Sequence, residues 1–501
     1  MANGIISIYT FLLFLLLFYA FHSYLMLYHF FKRGHPVKRN DRASTKKPPE
    51  ELPFVTIQLP VYNEKYVVRR LIESCSKIDY PRDKFEIQVL DDSDDETVTI
   101  VANLVHRFEA LGVNISHIRR NNRKGYKAGA LQYGLQFARG EFIAIFDADF
   151  VIPGDFLRRL VDEFDNPRVA VVQARWGHLN SNESFFTMAQ AISLDGHFVV
   201  EQNIRSQAQY FINFNGTCGI WRKTAINDAG GWHSDTLAED LDLSYRAQIK
   251  GWKIVFRPDV VVEGEIPPDV EGYRNQQNRW AKGTIQVAKK LLPRILKSDL
   301  PLLVKYEATV HLTCHLVYPA LFLVALLTLP IVFFKIELVV RASYFLFASF
   351  FGLGVFGYPV LYSLSQRELY PKWHKNLIRI PFIVALCAGI SLSNAKAVFE
   401  GLSGKKSVFT RTPKYGLHGQ DAESACKQYR DVNTSFLPHF EVLCGLYLLF
   451  SFLYALINEQ LVLVPFLFLY ACGFFYMGAP SMKEIVIGSR EAVEAWSHKN
   501  S

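Results

Sequence analysis

Between Ile5 and Phe31 the sequence contains no Asp, Glu, Lys or Arg. That run exceeds the roughly 20 apolar residues that carry a helix across a bilayer. Hydrocarbon offers backbone N–H and C=O groups no partners, so such a segment satisfies them internally as a helix. A cleaved leader would carry positive charge ahead of a short apolar core. Here the first basic residues, Lys32 and Arg33, follow the run. Residues 1–34 are therefore read as a transmembrane helix, and the positive-inside rule puts the chain from Lys32 onward in the cytosol.

After a basic, proline-containing linker over 35–50, the pattern changes to short apolar runs alternating with helical periodicity. "FVTIQLP" (54–60), "FEIQVLDD" (85–92), "EFIAIFDAD" (141–149), "VAVVQARW" (169–176) and "WKIVFRP" (252–258) read as strands. Glu64 to Ser76, Glu96 to Leu111 and Lys127 to Ala138 read as intervening helices. Such alternation predicts an α/β domain over 51–282 with a mostly parallel sheet.

Basic and apolar residues share helical spacing over 283–300, as in interfacial helices. Residues 301–501 then form a multi-pass helical membrane region, with long apolar stretches near 308–334, 343–365, 380–398 and 437–480, the last a hairpin broken around Asn458 and Glu459. If 380–398 crossed, the basic loop 401–430 would lie outside, against the positive-inside rule. Pro381, Ser391, Ser393, Asn394 and Lys396 also weaken it as a span, so it is read as interfacial or re-entrant.

The net charge of +8 comes from 55 Lys+Arg against 47 Asp+Glu, and the basic residues cluster beside apolar runs. They are topology signals and headgroup contacts, not a nucleic-acid footprint. The seven cysteines form no CxxC pair, so neither a disulfide framework nor a zinc site is indicated.

The chemistry lies in the soluble part. Asp147 and Asp149 end an apolar strand, where residues i and i+2 share a face and where open α/β sheets bind ligands. Two convergent carboxylates suit a hard divalent cation, Mg2+ or Mn2+, that also holds substrate phosphates; a solvated pair at a loop start has the same pattern. "VLDDSDD" (89–95) ends a second strand and offers Asp91 and Asp92 to a nucleoside, or else forms a turn and a helix N-terminus. Lys127 stands at a helix start, where it meets a phosphate or plain solvent. Asp240 begins an amphipathic helix whose dipole would keep it ionised as a general base, or it is simply a cap. Gln276, Arg279 and Trp280 at i, i+3 and i+4 share a helix face suited to a sugar ring beside a phosphate, although Trp is commonly core.

Taken in order, "IQVLDDSDDET", "GYKAGAL", "FDADF", "VQARW", "FNGTCGIWR", "NDAGGW", "EDLDLSYRA" and "QQNRW" resemble the processive family 2 glycosyltransferases, most of all the cellulose-synthase-like mannan and glucomannan synthases and their bacterial relatives. The resemblance implies a GT-A catalytic fold. By position, Asp91 and Asp92 would contact the nucleoside, and Lys127 the diphosphate. Asp147 and Asp149 would be the DxD acids at diphosphate and metal, and Asp240 the base. Gln276, Arg279 and Trp280 would lie near acceptor and pyrophosphate, with Phe214, Asn215, Gly216 and Thr217 in the acceptor-binding finger region. "FTRTPKYG" (409–416) resembles a gating loop, through Phe409, Thr410, Arg411, Thr412 and Lys414. Two motifs depart from the pattern: Ala238 stands where the family's TED triplet has Thr, and the loop carries Arg411 and Pro413.

The implied activity is inverting transfer of a hexose from GDP- or UDP-hexose to a growing β-linked polysaccharide, passed across a plasma, inner or Golgi membrane from a cytosol-facing domain. The rival within glycosyl transfer adds a single sugar to a membrane lipid. Asp147-Ala148-Asp149-Phe150-Val151 also fits the DxDx[TV] pattern of haloacid-dehalogenase-like phosphatases, with Asp147 as nucleophile, but no later GDxxxD-like motif accompanies it. A transport protein would carry intramembrane charges, which the apolar stretches nearly lack.

Overall fold

The structure, a computed structural model, describes residues 2–33, 47–333, 356–405, 414, 416 and 436–500. Period-2 alternation in "VTIQLPV" and "FEIQVLD" forms the first two strands of a seven-stranded sheet. The strands are β1 (Val55–Val61), β2 (Phe85–Asp91), β3 (Ile115–Ile118), β4 (Phe142–Ile145), β5 (Val169–His178), β6 (Gly219–Arg222) and β7 (Lys253–Gly264). Their spatial order is β3-β2-β1-β4-β6-β5-β7. All neighbours pair parallel except β6, which runs antiparallel to both β4 and β5.

Alternation sends side chains to two cores. Phe142 and Ala144 pack on one face with Val55, Ile57 and Phe85, while Ile143 and Ile145 pack on the other with Leu131, Trp221 and Leu243. The polar partners in the pattern are buried too, and they pair across the two strands as a ladder. Thr56 Oγ1 donates to Glu86 at 2.7 Å, Gln58 Nε2 to Gln88 Oε1 at 3.0 Å, and Arg139 holds the far Glu86 oxygen at 2.6 Å.

The strand expected over 141–149 is shorter than its composition implies. Regular pairing stops at Ile145, and Phe150 N–H donates back to Asp147 O at 3.3 Å, so both acids lie in a turn beyond β4. Phe146, Ala148 and Phe150 stay in the core of Phe142 and Ala144, so the alternation persists past the last paired residue and both acids line the same pocket.

"QQNRW" lies inside one 28-residue helix, Val270–Lys297, which continues through the segment expected to begin separately at 283. Asp269 caps it by accepting from Gly272 N–H at 2.7 Å. Among the described residues, four helices are long and apolar enough to cross a membrane: Gly4–Lys32, Leu302–Ile331, Leu437–Ile457 and Val464–Lys483. Trp373–Gly389 and Ser391–Ser403 form a pair bent by 47°, a broken span or re-entrant loop, where 380–398 was read as interfacial or re-entrant. Most of the stretch 343–365, and Phe409, Thr410, Arg411 and Thr412, lie outside the described residues.

Arg274 ties the motif-bearing helix to the membrane helices. It is 2% exposed, donates to Glu441 at 2.7 Å, to Ser481 at 3.1 Å and to the Met477 carbonyl at 2.9 Å, and pairs with Glu271. Removing one partner of a buried pair strands the other, at a cost of about 3–5 kcal/mol. Arg274→Ala is therefore expected to lower the melting temperature of the detergent-purified protein sharply, and adding Glu441→Gln should return part of the loss. Equal melting of Arg274→Ala and wild type would contradict this account of the junction.

Candidate active site

One pocket opens at the carboxyl ends of β1, β2, β4 and β7, where parallel strands direct their backbone dipoles and loops toward a ligand. Its lining includes Asp92, Lys127, Asp147, Asp149, Asn215, Gly216, Asp240, Gln276, Arg279, Trp280 and Lys414, so residues from widely separated motifs converge.

Each acid of the DxD turn is held by its own lysine. Lys127 Nζ lies 2.5 Å from Asp147 Oδ1 and 2.8 Å from the Gly216 carbonyl. Lys414 Nζ lies 2.7 Å from Asp149 Oδ2. Burial would lower both lysine pKa values, but Asp147 in one case and Asp149 in the other outweigh it and hold the ammonium groups charged. Asp147 N–H donates to Thr217 Oγ1 at 2.8 Å, and Arg70 braces the Asp149 carbonyl at 3.0 Å and Glu265 at 2.6 Å. The turn is thus positioned from four directions. Two oxygen donors whose negative charge already gathers cations suit a hard divalent ion.

Asp240 is the second residue of the helix Glu239–Ile249 and accepts from Leu241 N–H at 2.8 Å. The expectation from the helix dipole was an ionised carboxylate. Instead, burial and the adjacent Glu239 push its pKa up to about 7, against the opposing pull of Lys127, the Leu241 amide and Arg279. A carboxyl poised there can both hold and release a proton near neutral pH. Opposite it, Gly216 sits at φ +81°, and a Cβ at that position would stand 3.0 Å from Asp240 Oδ2. The absence of a side chain keeps that approach open.

The remaining expected residues divide. Gln276, Arg279 and Trp280 line the pocket together. In the finger segment Asn215 and Gly216 line it, whereas Phe214 and Thr217 are fully buried behind it. Asp92 faces the pocket with both carboxylate oxygens held by Arg120, at 2.7 and 2.5 Å. Asp91 points away: it is 1% exposed, 2.8 Å from His117 Nε2, and accepts from Ser93 N–H at 2.8 Å. Burial alone would raise its pKa, but those hydrogen bonds win and hold it below the ordinary range.

Tyr62, Glu64, Arg123, Tyr126, Trp176, His178 and Glu265 also line the pocket and were not singled out as site residues from the sequence. Tyr62 had a signal, being the residue immediately after β1, and Glu265 likewise follows β7. Elsewhere, His233, Asp235 and Asp242 bring ligand atoms within 4.8 Å of one another. Lys290 already stands 2.8 Å from both acids and Arg246 2.7 Å from Asp242, so cationic side chains supply the charge there.

Residues 53–283 match the family profile described as "Glycosyltransferase like family 2". The chain is 35% identical over 447 residues to glucomannan 4-beta-mannosyltransferase 9 of Arabidopsis thaliana, covering 87% of this chain and 81% of that one. It is 34% identical over 448 residues to glucomannan 4-beta-mannosyltransferase 1 of Cyamopsis tetragonoloba, covering 86% and 82%. Among solved structures, a mannosyltransferase from Pyrobaculum calidifontis in complex with GDP-Man and Mn2+ aligns with a TM-score of 0.52 at 22% identity, over 79% of this chain and all of that one. That likeness gives the soluble part its GT-A fold.

Proposed function

From the premise that this chain belongs to glycosyltransferase family 2, as a cellulose-synthase-like β-glycan synthase of the glucomannan mannosyltransferase kind, we propose that it transfers mannose from GDP-mannose, with inversion, to the end of a growing β-linked glycan. The donor assignment is supported by the relatives' names and by the GDP-Man in the archaeal structure. The observation that carries the mechanism is the convergence, in one pocket, of Asp240 with a lysine-clamped DxD turn and the Gln276–Trp280 helix face.

In this reading Asp240 takes the proton from an acceptor hydroxyl as that oxygen attacks the anomeric carbon. Gly216 leaves room for the approach, and Trp280 supplies a flat apolar face for the acceptor ring. Lys127 and Arg279 supply positive charge toward the departing diphosphate. A divalent cation would be held by Asp147 and Asp149, and when bound it neutralises charge on the leaving group. The Mn2+ in the archaeal structure supports Mn2+, with Mg2+ as the alternative. The membrane helices support a catalytic domain at the cytosolic face and passage of the product through the bilayer, because a polar chain needs a route past lipid.

Purified protein in lipid nanodiscs, given Mn2+ and in turn GDP-mannose, GDP-glucose or UDP-glucose, tests this. The expected product is a β-linked polymer, digestible by endo-β-mannanase, with release of GDP. A single sugar on an organic-soluble lipid would favour the glycolipid rival, and no released nucleoside diphosphate would overturn the reading.

A further inference from the structure

The pocket has two ends. β4, which leads into the DxD turn, separates β1 and β2 from β6, β5 and β7 in the sheet, and the Asp240 helix packs against β7 and against the helix of Gln276 and Trp280, which marks the transfer end. A nucleoside attached to the diphosphate must therefore extend the other way, toward the ends of β1 and β2, where Tyr62, Asp92 and Arg123 form the wall.

Arg123 is held there in an unusual state. Its guanidinium carbon lies 3.2 Å from the centroid of the Tyr62 ring and 5.0 Å from that of Tyr126. Stacking fixes the guanidinium plane while leaving its edge N–H groups unspent. The neighbouring arginines are committed: Arg119 donates to the Ser93 carbonyl at 2.7 Å, and Arg120 holds Asp92 and the carbonyls of Lys124 and Tyr126. Those last two bonds also tie down the turn that carries Arg123, as does Lys124 N–H to Asn122 at 3.0 Å. Lys127 and Lys414 are paired with the DxD acids. Among the described residues, no hydrogen bond or ion pair engages the Arg123 side chain.

A planar fork with two unspent donors at the nucleoside end matches one base. Guanine presents O6 and N7, two acceptors side by side, and takes arginine bidentately. Uracil sets a single carbonyl acceptor beside an N–H donor, and adenine sets a donor beside N7. We propose that Arg123, oriented by Tyr62, is the residue that selects guanine, so that the site takes guanosine-diphosphate sugars in preference to uridine-diphosphate sugars. The proposal rests on the glycosyltransferase reading above and adds the determinant of its donor base.

The test uses full-length protein in nanodiscs with Mn2+, measuring dissociation constants for GDP, IDP, 7-deaza-GDP and UDP by calorimetry. Wild type is expected to bind GDP and IDP alike, since both keep O6 and N7. It should bind UDP and 7-deaza-GDP more weakly than GDP, by about tenfold to a hundredfold for the full bidentate contact and by less for the loss of N7 alone. In Arg123→Met the advantage of GDP over UDP should collapse toward one through weaker GDP binding, with UDP affinity retained, which also shows that the variant is folded. The same variant should no longer distinguish 7-deaza-GDP from GDP. Equal weakening of GDP and UDP by Arg123→Met would make Arg123 a phosphate contact and overturn the proposal. So would wild-type binding of 7-deaza-GDP as tight as that of GDP, or a wild-type preference for UDP, and each of these would leave glycosyl transfer standing. Failure of every nucleoside diphosphate to bind would instead refute the underlying reading.

Discussion

Asp240→Asn is expected to lower turnover by about 10²- to 10⁴-fold, the usual contribution of a positioned general base, while GDP binding in the presence of Mn2+ stays close to wild type. Asn matches the carboxylate in size and can keep the Leu241 N–H bond, but it cannot take a proton. The pH profile gives an independent check. Because burial and Glu239 raise the Asp240 pKa to about 7, the competent, ionised form is present above that pH and is lost below it. The wild-type log kcat/KM should therefore fall with unit slope as pH drops through about 7, and the variant's residual activity should lack this limb. The same shift has the opposite sign for stability. Between the ordinary carboxylate pKa and about 7 the unfolded chain releases a proton that the folded chain retains, so folding stability declines as pH rises across that window. Asn carries no such charge, and the variant should melt higher than wild type at pH 8. Loss of GDP binding, or a variant with the wild-type pH limb, would remove Asp240 from the role of base.

How far the site could be read in advance depended on how local its physics is. The β1 and β2 alternation and the order of the acidic motifs are local, and they led to the correct layer and to the pocket-lining acids Asp92, Asp147, Asp149 and Asp240. Strands β3 and β6 have only four residues each, too few for a period to emerge, and neither was anticipated. The DxD turn was read as a strand end because its apolar run, and the alternation of Phe146 and Ala148 into the core, continue past Ile145; only the backbone bond from Phe150 N–H to Asp147 O reveals the turn. Asp91 and Asp92 are indistinguishable by pattern, yet His117 on the neighbouring strand draws one inward and Arg120 holds the other at the pocket. The Asp240 pKa is set in the same non-local way. A helix dipole is visible in sequence, whereas burial that outweighs it is not.

The least local contact is also the one with the sharpest consequence. Lys414 reaches Asp149 from 265 positions away in sequence, and the two side chains are 16% and 5% exposed. A half-buried ammonium 2.7 Å from a carboxylate competes for the same oxygen that a divalent cation would use. Two variants should then move metal affinity in opposite directions. Asp149→Ala removes a donor and should weaken Mn2+ binding by at least about tenfold to a hundredfold, with transfer lost alongside it. Lys414→Met removes the competitor and leaves an uncompensated carboxylate. Taking a neighbouring opposite charge as equivalent to at least one pKa unit, it should tighten Mn2+ binding in the absence of nucleotide by about tenfold. In the double variant the gain from Lys414→Met should vanish, since the acid through which it acts is gone, and that non-additivity is the signature of direct coupling. Free Mn2+ followed by electron paramagnetic resonance during titration of each purified variant reads all three effects without reference to turnover. Weaker Mn2+ binding in Lys414→Met would mean that the lysine supports the cation instead of opposing it, and additive effects in the double variant would show that the two residues act on the metal through separate contacts.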